Sequence, residues 1–203
     1  MHALVVVSHP DSASLTHAAA ARIAEGIARS GHTAEIADLT AEGFDPRFGA
    51  ADQAAHLKQA APPADVVAEQ ARIDRADALV LVYPVYWWSM PGLMKGWIDR
   101  VFANGWAYDE VPGGRTEKKL GRLPVHLVGL GGADRGTYVR HGYDVAMRTQ
   151  IDHGIFGYCG APVATSELLL VPPDAVDPAE ALAAARALGG RLFEAARRPA
   201  DAA

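Results

Sequence analysis

Short apolar runs alternate with longer amphipathic segments along most of the chain. Residues 3–8 form the first run, which is rich in β-branched side chains and carries no charge, as is typical of a central strand covered on both faces. Residues 14–31 follow, with apolar positions at helical spacing between a serine and a glycine, and this arrangement predicts a helix. The first 31 residues therefore indicate a strand followed by a helix.

The same alternation of strand and helix continues towards the C-terminus. Further strands are predicted over residues 33–39, 78–84, 123–132 and 164–171, and further helices over residues 65–77, 91–102, 138–158 and 177–198. The third of these helices is expected to be interrupted at residues 141–143. Residues 43–65 have weak periodicity and are predicted to be a partly irregular excursion, residues 110–122 a loop, and residues 198–203 a frayed tail.

Five strands with intervening helices predict an α/β fold with right-handed crossovers and a parallel sheet. We expect one domain over residues 1–197. In such sheets, ligands bind beyond the carboxyl ends of the strands, where the strand order reverses. Three loops are therefore expected to carry a site: residues 9–16, 84–91 and 130–138.

Composition and charge narrow the class of protein. Of 203 residues, 50% are hydrophobic and 21% are charged, with a formal net charge of −5, so a large core is expected and nucleic acid is not an expected partner. Cys159 is the one cysteine, which excludes an internal disulfide and favours a reducing cytoplasm. The chain starts without a basic leader, and no run approaches the roughly 20 apolar residues that span a bilayer, so we expect no membrane insertion.

The first loop contains hydroxyl groups at the start of a predicted helix. Ser14 and Thr16 lie where free backbone N–H groups and the positive end of the helix dipole favour a phosphate. His9 precedes them. An ordinary helix cap at Ser14 and an ordinary turn histidine at His9 explain the same residues without a ligand.

The second loop concentrates aromatic side chains at the end of a buried strand. Tyr86, Trp87 and Trp88 lie between Pro84 and Pro91. Such rings can form the wall of a slot for a flat, apolar ligand, with backbone groups of the turn contacting its polar edge. Alternatively, the tryptophans belong to the core or to a dimer interface, because a cluster of this size is rarely left uncovered.

The third loop combines glycines with two groups that can donate a proton. Gly129, Gly131 and Gly132 allow close approach of the backbone to a ligand. Tyr138 and His141 follow, and either can stabilise a developing anion. A flexible turn followed by surface polar residues is the alternative. The convergence of all three loops on one end of the sheet favours a binding site.

Several common ligand motifs are absent from the sequence. It contains no G-x-x-x-x-G-K-[ST] loop, no G-x-G-x-x-G after the first strand and no G-x-S-x-G elbow. The eight histidines lack H-E-x-x-H spacing, so no metal site is expected.

Five stretches in chain order resemble a known family. They are "SHPDSASLT", residues 63–102 with the run "PVYWWSMPGLMKGWIDRVF", "WAY" at 106–108, the glycine pair at 131–132 with Tyr138, and "HGIFGYCGA" at 153–161. Together they resemble the flavodoxin-like NAD(P)H:quinone oxidoreductases, and the long run is highly specific to that family. The resemblance implies a flavodoxin-like, five-stranded parallel sheet in the order 2-1-3-4-5 with helices on both faces.

The resemblance also implies a bound flavin, FAD or FMN, contacted by all three loops. The implied contacts are His9, Ser14, Leu15 and Thr16 along the ribityl and phosphate part; Pro84, Val85, Tyr86, Trp87 and Trp88 along the isoalloxazine; and Leu130, Gly131 and Gly132 along its other polar edge. Tyr138 matches the family tyrosine that stabilises charge on the reduced flavin. The run "GLGG" stands where the family often has "TTGG", which leaves hydrogen bonding at that edge to the backbone or water.

The activity implied by the resemblance is transfer of two electrons from NADH or NADPH to a quinone or similar planar acceptor. Kinetics are expected to be ping-pong, the catalytic residues to be Tyr138 and His141, and the protein to be a homodimer. Alternatives are an azo- or nitroreductase, a redox-regulatory subunit of a potassium-efflux system, an electron carrier without its own substrate, and a flavin-free regulator.

Overall fold

The computed structural model describes residues 1–111, 113–171 and 177–194. The strands are β1 His2–Val7, β2 Thr33–Asp38, β3 Ala78–Pro84, β4 Tyr108–Asp109, β5 Glu117–Lys118, β6 Val125–Gly131 and β7 Val163–Leu170. The helices are α1 Leu15–Arg29, α2 Ala50–His56, α3 Ala64–Asp74, α4 Gly92–Val101, α5 Arg135–His141, α6 Tyr143–Met147 and α7 Ala179–Arg191, with a π-helical segment at Arg148–Gly157.

The main sheet has five parallel strands in the order β2-β1-β3-β6-β7. Counting only these five strands in chain order gives 2-1-3-4-5, so the predicted flavodoxin-like order is confirmed. The order reverses between β1 and β3, which places the expected ligand crevice beyond the ends of those strands. β4 and β5 form a separate antiparallel pair.

The core lies on both faces of this sheet. Strands β1, β3 and β6 are almost wholly buried, which agrees with their uncharged, apolar sequence. On one face they pack against α3, α4 and the π-helical segment, with Trp97 and Phe156 at the centre. On the other face they pack against α1 and α7. Helices therefore cover both faces of the sheet, as predicted.

The excursion at residues 43–65 contains α2 and is fastened to α4 by a buried arginine. Arg100 Nε donates to Asp52 Oδ1 at 2.9 Å, and its Nη1 donates to Asp65 Oδ2 at 2.6 Å and to the Asp45 carbonyl at 2.7 Å. Arg100 and Asp52 are both 7% exposed. These bonds hold a segment of weak periodicity against α4.

Three local features differ from the sequence-based expectation. The β4–β5 pair includes Glu117–Lys118, inside the predicted loop at 110–122. The helical region predicted at 138–158 starts earlier, at Arg135, because Asp134 Oδ1 caps it by accepting from the Thr137 N–H at 3.0 Å. It breaks at Gly142, within the predicted interruption, and then becomes π-helical. The predicted tail at 198–203 and the end of the domain at residue 197 lie outside the described residues and stay predictions.

One histidine is buried in the middle of the sheet. His126 on β6 is 3% exposed. Its Nδ1 lies 2.9 Å from Thr165 Oγ1, whereas its Nε2 is the one buried side-chain polar atom without a partner in the part of the chain that the structure describes. Burial lowers the pKa of His126 to about 4.

The free energy of unfolding is expected to fall as the pH is lowered through the range that His126 spans. The unfolded chain binds this proton near pH 6.5 and the folded protein only near pH 4, so the unfolded state holds more protons between these values. The loss expected at pH 5 is about 2 kcal/mol. Urea unfolding from pH 5 to 7 measures it.

Replacing the histidine isolates its contribution. His126→Leu removes the titrating group, and its stability is expected to vary correspondingly less between pH 7 and 5. His153→Gln is the matched control, because His153 is exposed to water in the folded protein. An unchanged slope in His126→Leu contradicts the assignment.

No helix among the described residues is long and apolar enough to cross a membrane.

Candidate functional site

The three loops singled out in the sequence meet at the carboxyl edge of the sheet. Val7 of β1 pairs with Val82 of β3, and Pro84 at the end of β3 pairs with Leu130 of β6. The Val85 N–H donates to the Leu130 carbonyl at 2.8 Å. The ends of β1, β3 and β6 therefore lie side by side, and the residues that follow them face a common space.

The start of α1 supplies unpaired donors to this edge. Ser14 caps the helix by accepting from the His17 N–H at 3.3 Å, so the ordinary capping role is present. The backbone N–H groups of Leu15 and Thr16 nevertheless make no hydrogen bond to the described residues. Free N–H groups at a helix start suit a phosphate oxygen. His9 precedes this helix start, with its ring centroid 6.3 Å from that of His17, and its Nδ1 accepts from the Asp11 N–H at 3.0 Å.

A hydrogen-bonded chain that the sequence analysis missed fixes the Ser14 side chain. Ser14 Oγ lies 2.9 Å from His17 Nδ1, and His17 Nε2 lies 2.8 Å from Asp38 Oδ2 at the end of β2. Burial alone would raise the pKa of Asp38, but bonds from the Ala41 N–H, His17 and the Thr40 N–H outweigh it and keep this pKa below its usual range. The carboxylate only accepts, so we assign the donor role to His17 Nε2.

Residues 86–89, called the aromatic turn below, form a tight reversal after β3. The Tyr86 N–H donates to the Ser89 carbonyl and the Ser89 N–H to the Tyr86 carbonyl, both at 3.0 Å. Trp87 and Trp88 have φ values of +49° and +59°, a conformation that costs an L-residue roughly 1–2 kcal/mol. Their own N–H groups have no partner in the described part of the chain.

The two tryptophans of the aromatic turn have different environments. Trp87 is 93% exposed. Trp88 stacks on Tyr143 with ring centroids 3.7 Å apart and planes 11° apart, and meets Tyr138 edge-on at 5.2 Å. Ser89 Oγ donates to Gln150 Oε1 at 2.9 Å. The turn therefore combines a fixed ring, a free ring and two unpaired backbone donors.

The third loop places a buried phenol beneath a glycine. Tyr138 is 1% exposed, and a Cβ built on Gly131 would lie 2.3 Å from its Oη. Only glycine at this position leaves room for the phenol. Burial raises the pKa of Tyr138, so its hydroxyl keeps its proton at neutral pH and can donate. Gly132 has open space around it.

His141 lies at the rim of this arrangement. Its ring is exposed and packs on Tyr143 with centroids 5.2 Å apart. No hydrogen bond joins it to Tyr138 within the described residues. Tyr143 was not among the residues selected from sequence, because nothing in the local sequence indicates its contact with Trp88.

A separate apolar groove lies away from the strand ends. It has a volume of about 690 Å³, and its lining includes Phe48, His56, Ile98, Phe102, Tyr108, Ile155, Tyr158 and Cys159. Burial raises the pKa of Cys159 to about 11, so the thiol is protonated and unreactive at neutral pH.

Among the described residues no group of three or more His, Cys, Asp or Glu is arranged to hold a metal ion.

Comparisons with known proteins agree with the fold described above. A family profile described as a flavodoxin-like fold matches residues 1–188. The chain is 28% identical over 189 residues to ribosyldihydronicotinamide dehydrogenase (quinone) of Pongo abelii, covering 83% of this chain and 81% of the relative.

Two solved structures extend the comparison. The NAD(P)H:quinone oxidoreductase of Methanothermobacter marburgensis superposes with a TM-score of 0.86 at 28% identity, covering 95% of this chain and 98% of the other. An FMN-dependent NADH-azoreductase of Bacillus anthracis in complex with FMN superposes with a TM-score of 0.67 at 17% identity, covering 98% and 100%, and shows a common fold alone. The resemblance to quinone oxidoreductases found in the sequence is confirmed, and the chain belongs to the family with the flavodoxin-like fold.

Proposed function

We propose that this protein is a flavin-dependent oxidoreductase that transfers two electrons from NADH or NADPH to a quinone or similar planar acceptor. The observation that carries the proposal is the aromatic turn, whose unpaired Trp87 and Trp88 N–H groups lie at the same edge of the sheet as buried Tyr138. The names of the relatives at 28% identity support the same activity.

The residues present fit a flavin. The aromatic turn offers an apolar wall with backbone donors, which suits a flat ring system with a polar edge. The free N–H groups of Leu15 and Thr16 suit the phosphate that FMN and FAD share. When bound, the flavin supplies the redox chemistry, and the protein supplies orientation and electrostatics.

Each remaining site residue has a role in this proposal. Pro84, Val85 and Tyr86 would fix the near side of the slot, and Leu130, Gly131 and Gly132 the far side. Tyr138 Oη would donate towards developing negative charge. The exposed imidazole of His141 would exchange a proton with the acceptor at the rim. His9 would lie beside the ribityl chain.

Purification followed by anaerobic titration tests the proposal. The protein as isolated, or after addition of FMN or FAD, is expected to absorb in the visible blue and to bleach on addition of NADH or NADPH. Denaturation then releases the flavin for identification. A protein that stays colourless with both flavins contradicts the proposal, and a flavin that neither nicotinamide bleaches favours the electron carrier instead.

Steady-state kinetics are expected to be ping-pong. One slot beside the aromatic turn would accept the nicotinamide and the acceptor in succession, so that the first product leaves before the acceptor binds. Plots of reciprocal rate against reciprocal NADH concentration at several quinone concentrations are expected to be parallel. Lines that intersect indicate a ternary complex and contradict a shared slot.

We further propose that a second copy of the chain covers the apolar groove at Phe48, Ile98 and Ile155, giving a homodimer. The groove presents apolar side chains to solvent, and the interfaces of homodimers are richer in apolar surface than the rest of a protein's exterior. Sedimentation of the flavin-loaded protein tests the dimer, and a monomer of about 21.5 kDa contradicts it. A reducing, cytoplasmic location also belongs to the proposal and rests on the lone buried cysteine.

Azo- and nitro-compounds are the second candidate class of acceptor. The observation that favours them is the 93% exposed ring of Trp87, which leaves the mouth of the slot open to planar molecules of several kinds. Rates of flavin reoxidation by a quinone, an azo dye and a nitroarene distinguish these classes. If none reoxidises the flavin faster than oxygen does, the potassium-efflux redox subunit gains support.

A further inference from the structure

We propose that Tyr143 is a positioning residue for the flavin site, acting through the ring of Trp88. The inference rests on the proposed function, because it assigns the part of the fold that orients the aromatic turn towards the cofactor. The observation behind it is the close, nearly parallel stack of the two rings, 3.7 Å apart and 11° from parallel.

The aromatic turn needs an anchor outside itself. Both central residues have positive φ values, which bulky side chains rarely adopt and which persist only where the surroundings hold them. Trp87 contributes no anchor, because it is 93% exposed. Trp88 contacts Tyr143 and Tyr138, and Ser89 bonds to Gln150. Within the turn, Trp88 therefore provides the ring contacts that fix it to the rest of the fold.

The backbone around Tyr143 is built to deliver its ring to this place. Gly142 has a φ of +68°, ends α5 and begins α6. This left-handed residue turns the chain between the two helices, and glycine adopts it without the strain that other residues incur. His141, on the other side of Gly142, packs on the same phenol ring.

The stack matters for chemistry because of the two backbone donors that it orients. The N–H groups of Trp87 and Trp88 have no partner among the described residues, and they are the groups of this turn that can contact the polar edge of a flavin. Their direction depends on where the Trp88 ring is held. Tyr143 thus sets the direction of both donors without touching the cofactor itself.

Two substitutions separate the ring from its hydroxyl. Tyr143→Phe keeps the stacking face, and its affinity for FMN and FAD is expected to stay within twofold of the unmodified protein. Tyr143→Leu removes the face, and its affinity is expected to fall about two- to tenfold. Fluorescence titration of each flavin measures the affinity, and visible circular dichroism of the bound flavin reports its orientation. Val145→Ala on the exposed face of α6 is the matched control.

A double-mutant cycle tests whether the effect passes through Trp88. In a Trp88→Leu background, Tyr143→Leu is expected to cause no additional loss of flavin affinity. An equal loss in both backgrounds overturns the inference. A loss in Tyr143→Phe as large as in Tyr143→Leu overturns it too, because the hydroxyl would then be the important group.

A measurement without cofactor separates this inference from the proposed function. The Ser89 N–H is bonded within the aromatic turn, and its hydrogen exchange is expected to be about two- to tenfold faster in Tyr143→Leu than in the unmodified protein. Unchanged exchange overturns the inference even if flavin binds. Failure of the unmodified protein to bind either flavin overturns the proposed function, and faster Ser89 exchange then remains evidence that Tyr143 anchors the turn.

Discussion

Tyr138→Phe is expected to slow the reduction of bound flavin by NADH or NADPH about 100-fold, the usual loss when one preorganised donor is removed from a site of developing charge. The substitution removes one hydroxyl and leaves the buried ring beneath Gly131 in place. Because burial raises the pKa of Tyr138, this hydroxyl is a donor throughout the neutral range. Anaerobic stopped-flow absorbance of the flavin measures the rate.

Tyr83→Phe is the matched control for this prediction. Tyr83 is also buried, at 2% exposure, near the end of β3, and burial raises its pKa as well. Its rate is expected to stay within about threefold of the unmodified protein, because the proposed function gives the Tyr83 hydroxyl no contact with the flavin. If Tyr138→Phe binds flavin and keeps the full rate, the proposed role of Tyr138 is wrong.

Arg100→Met is expected to lower the free energy of unfolding by about 3–5 kcal/mol, the range found when one partner of a buried ion pair is removed. The substitution leaves the buried Asp52 carboxylate without its partner and frees the Asp45 carbonyl from its bond at 2.7 Å. Methionine retains an unbranched apolar stem like that of arginine, so the loss of charge pairing dominates the change. Urea denaturation at pH 7 measures the difference.

Arg47→Met is the matched control, because Arg47 lies on the excursion that Arg100 contacts from α4. Arg47 pairs with Asp45 at 2.7 Å, but its side chain is 86% exposed. Exposed ion pairs contribute about 0–1 kcal/mol, so a small change is expected. If both substitutions have equally small effects, Arg100 does not fasten the excursion as its contacts indicate.

Most of the fold was predictable because its signals are local. Strands β1 and β3 are buried on both faces, so their sequences are continuous and apolar, and the intervening helices carry helical spacing and end signals. The short β4–β5 pair was missed because a two-residue strand has no periodicity. The π-helical segment was missed for a related reason, since its sequence does not distinguish it from an α-helix.

The candidate site was predictable to the level of loops, but its contacts were not. Ser14, the two tryptophans and Gly131 follow strands whose ends must meet in a parallel sheet. The Ser14–His17–Asp38 chain could not be read from sequence, because Asp38 is 21 residues from His17. The same holds for the stack of Trp88 on Tyr143.

The sequence by itself determined the alternation of strands and helices, and with it the edge of the sheet at which three loops converge. Each strand or helix buries its own apolar side chains, so the order of apolar and polar residues along that segment is enough to predict it. Only the tertiary structure decided that two consecutive tryptophans adopt positive φ values, where turn chemistry favours asparagine or glycine. This backbone conformation is contrary to the local preference of tryptophan. It is stabilised by ring contacts with residues distant in sequence, and no local pattern encodes those contacts.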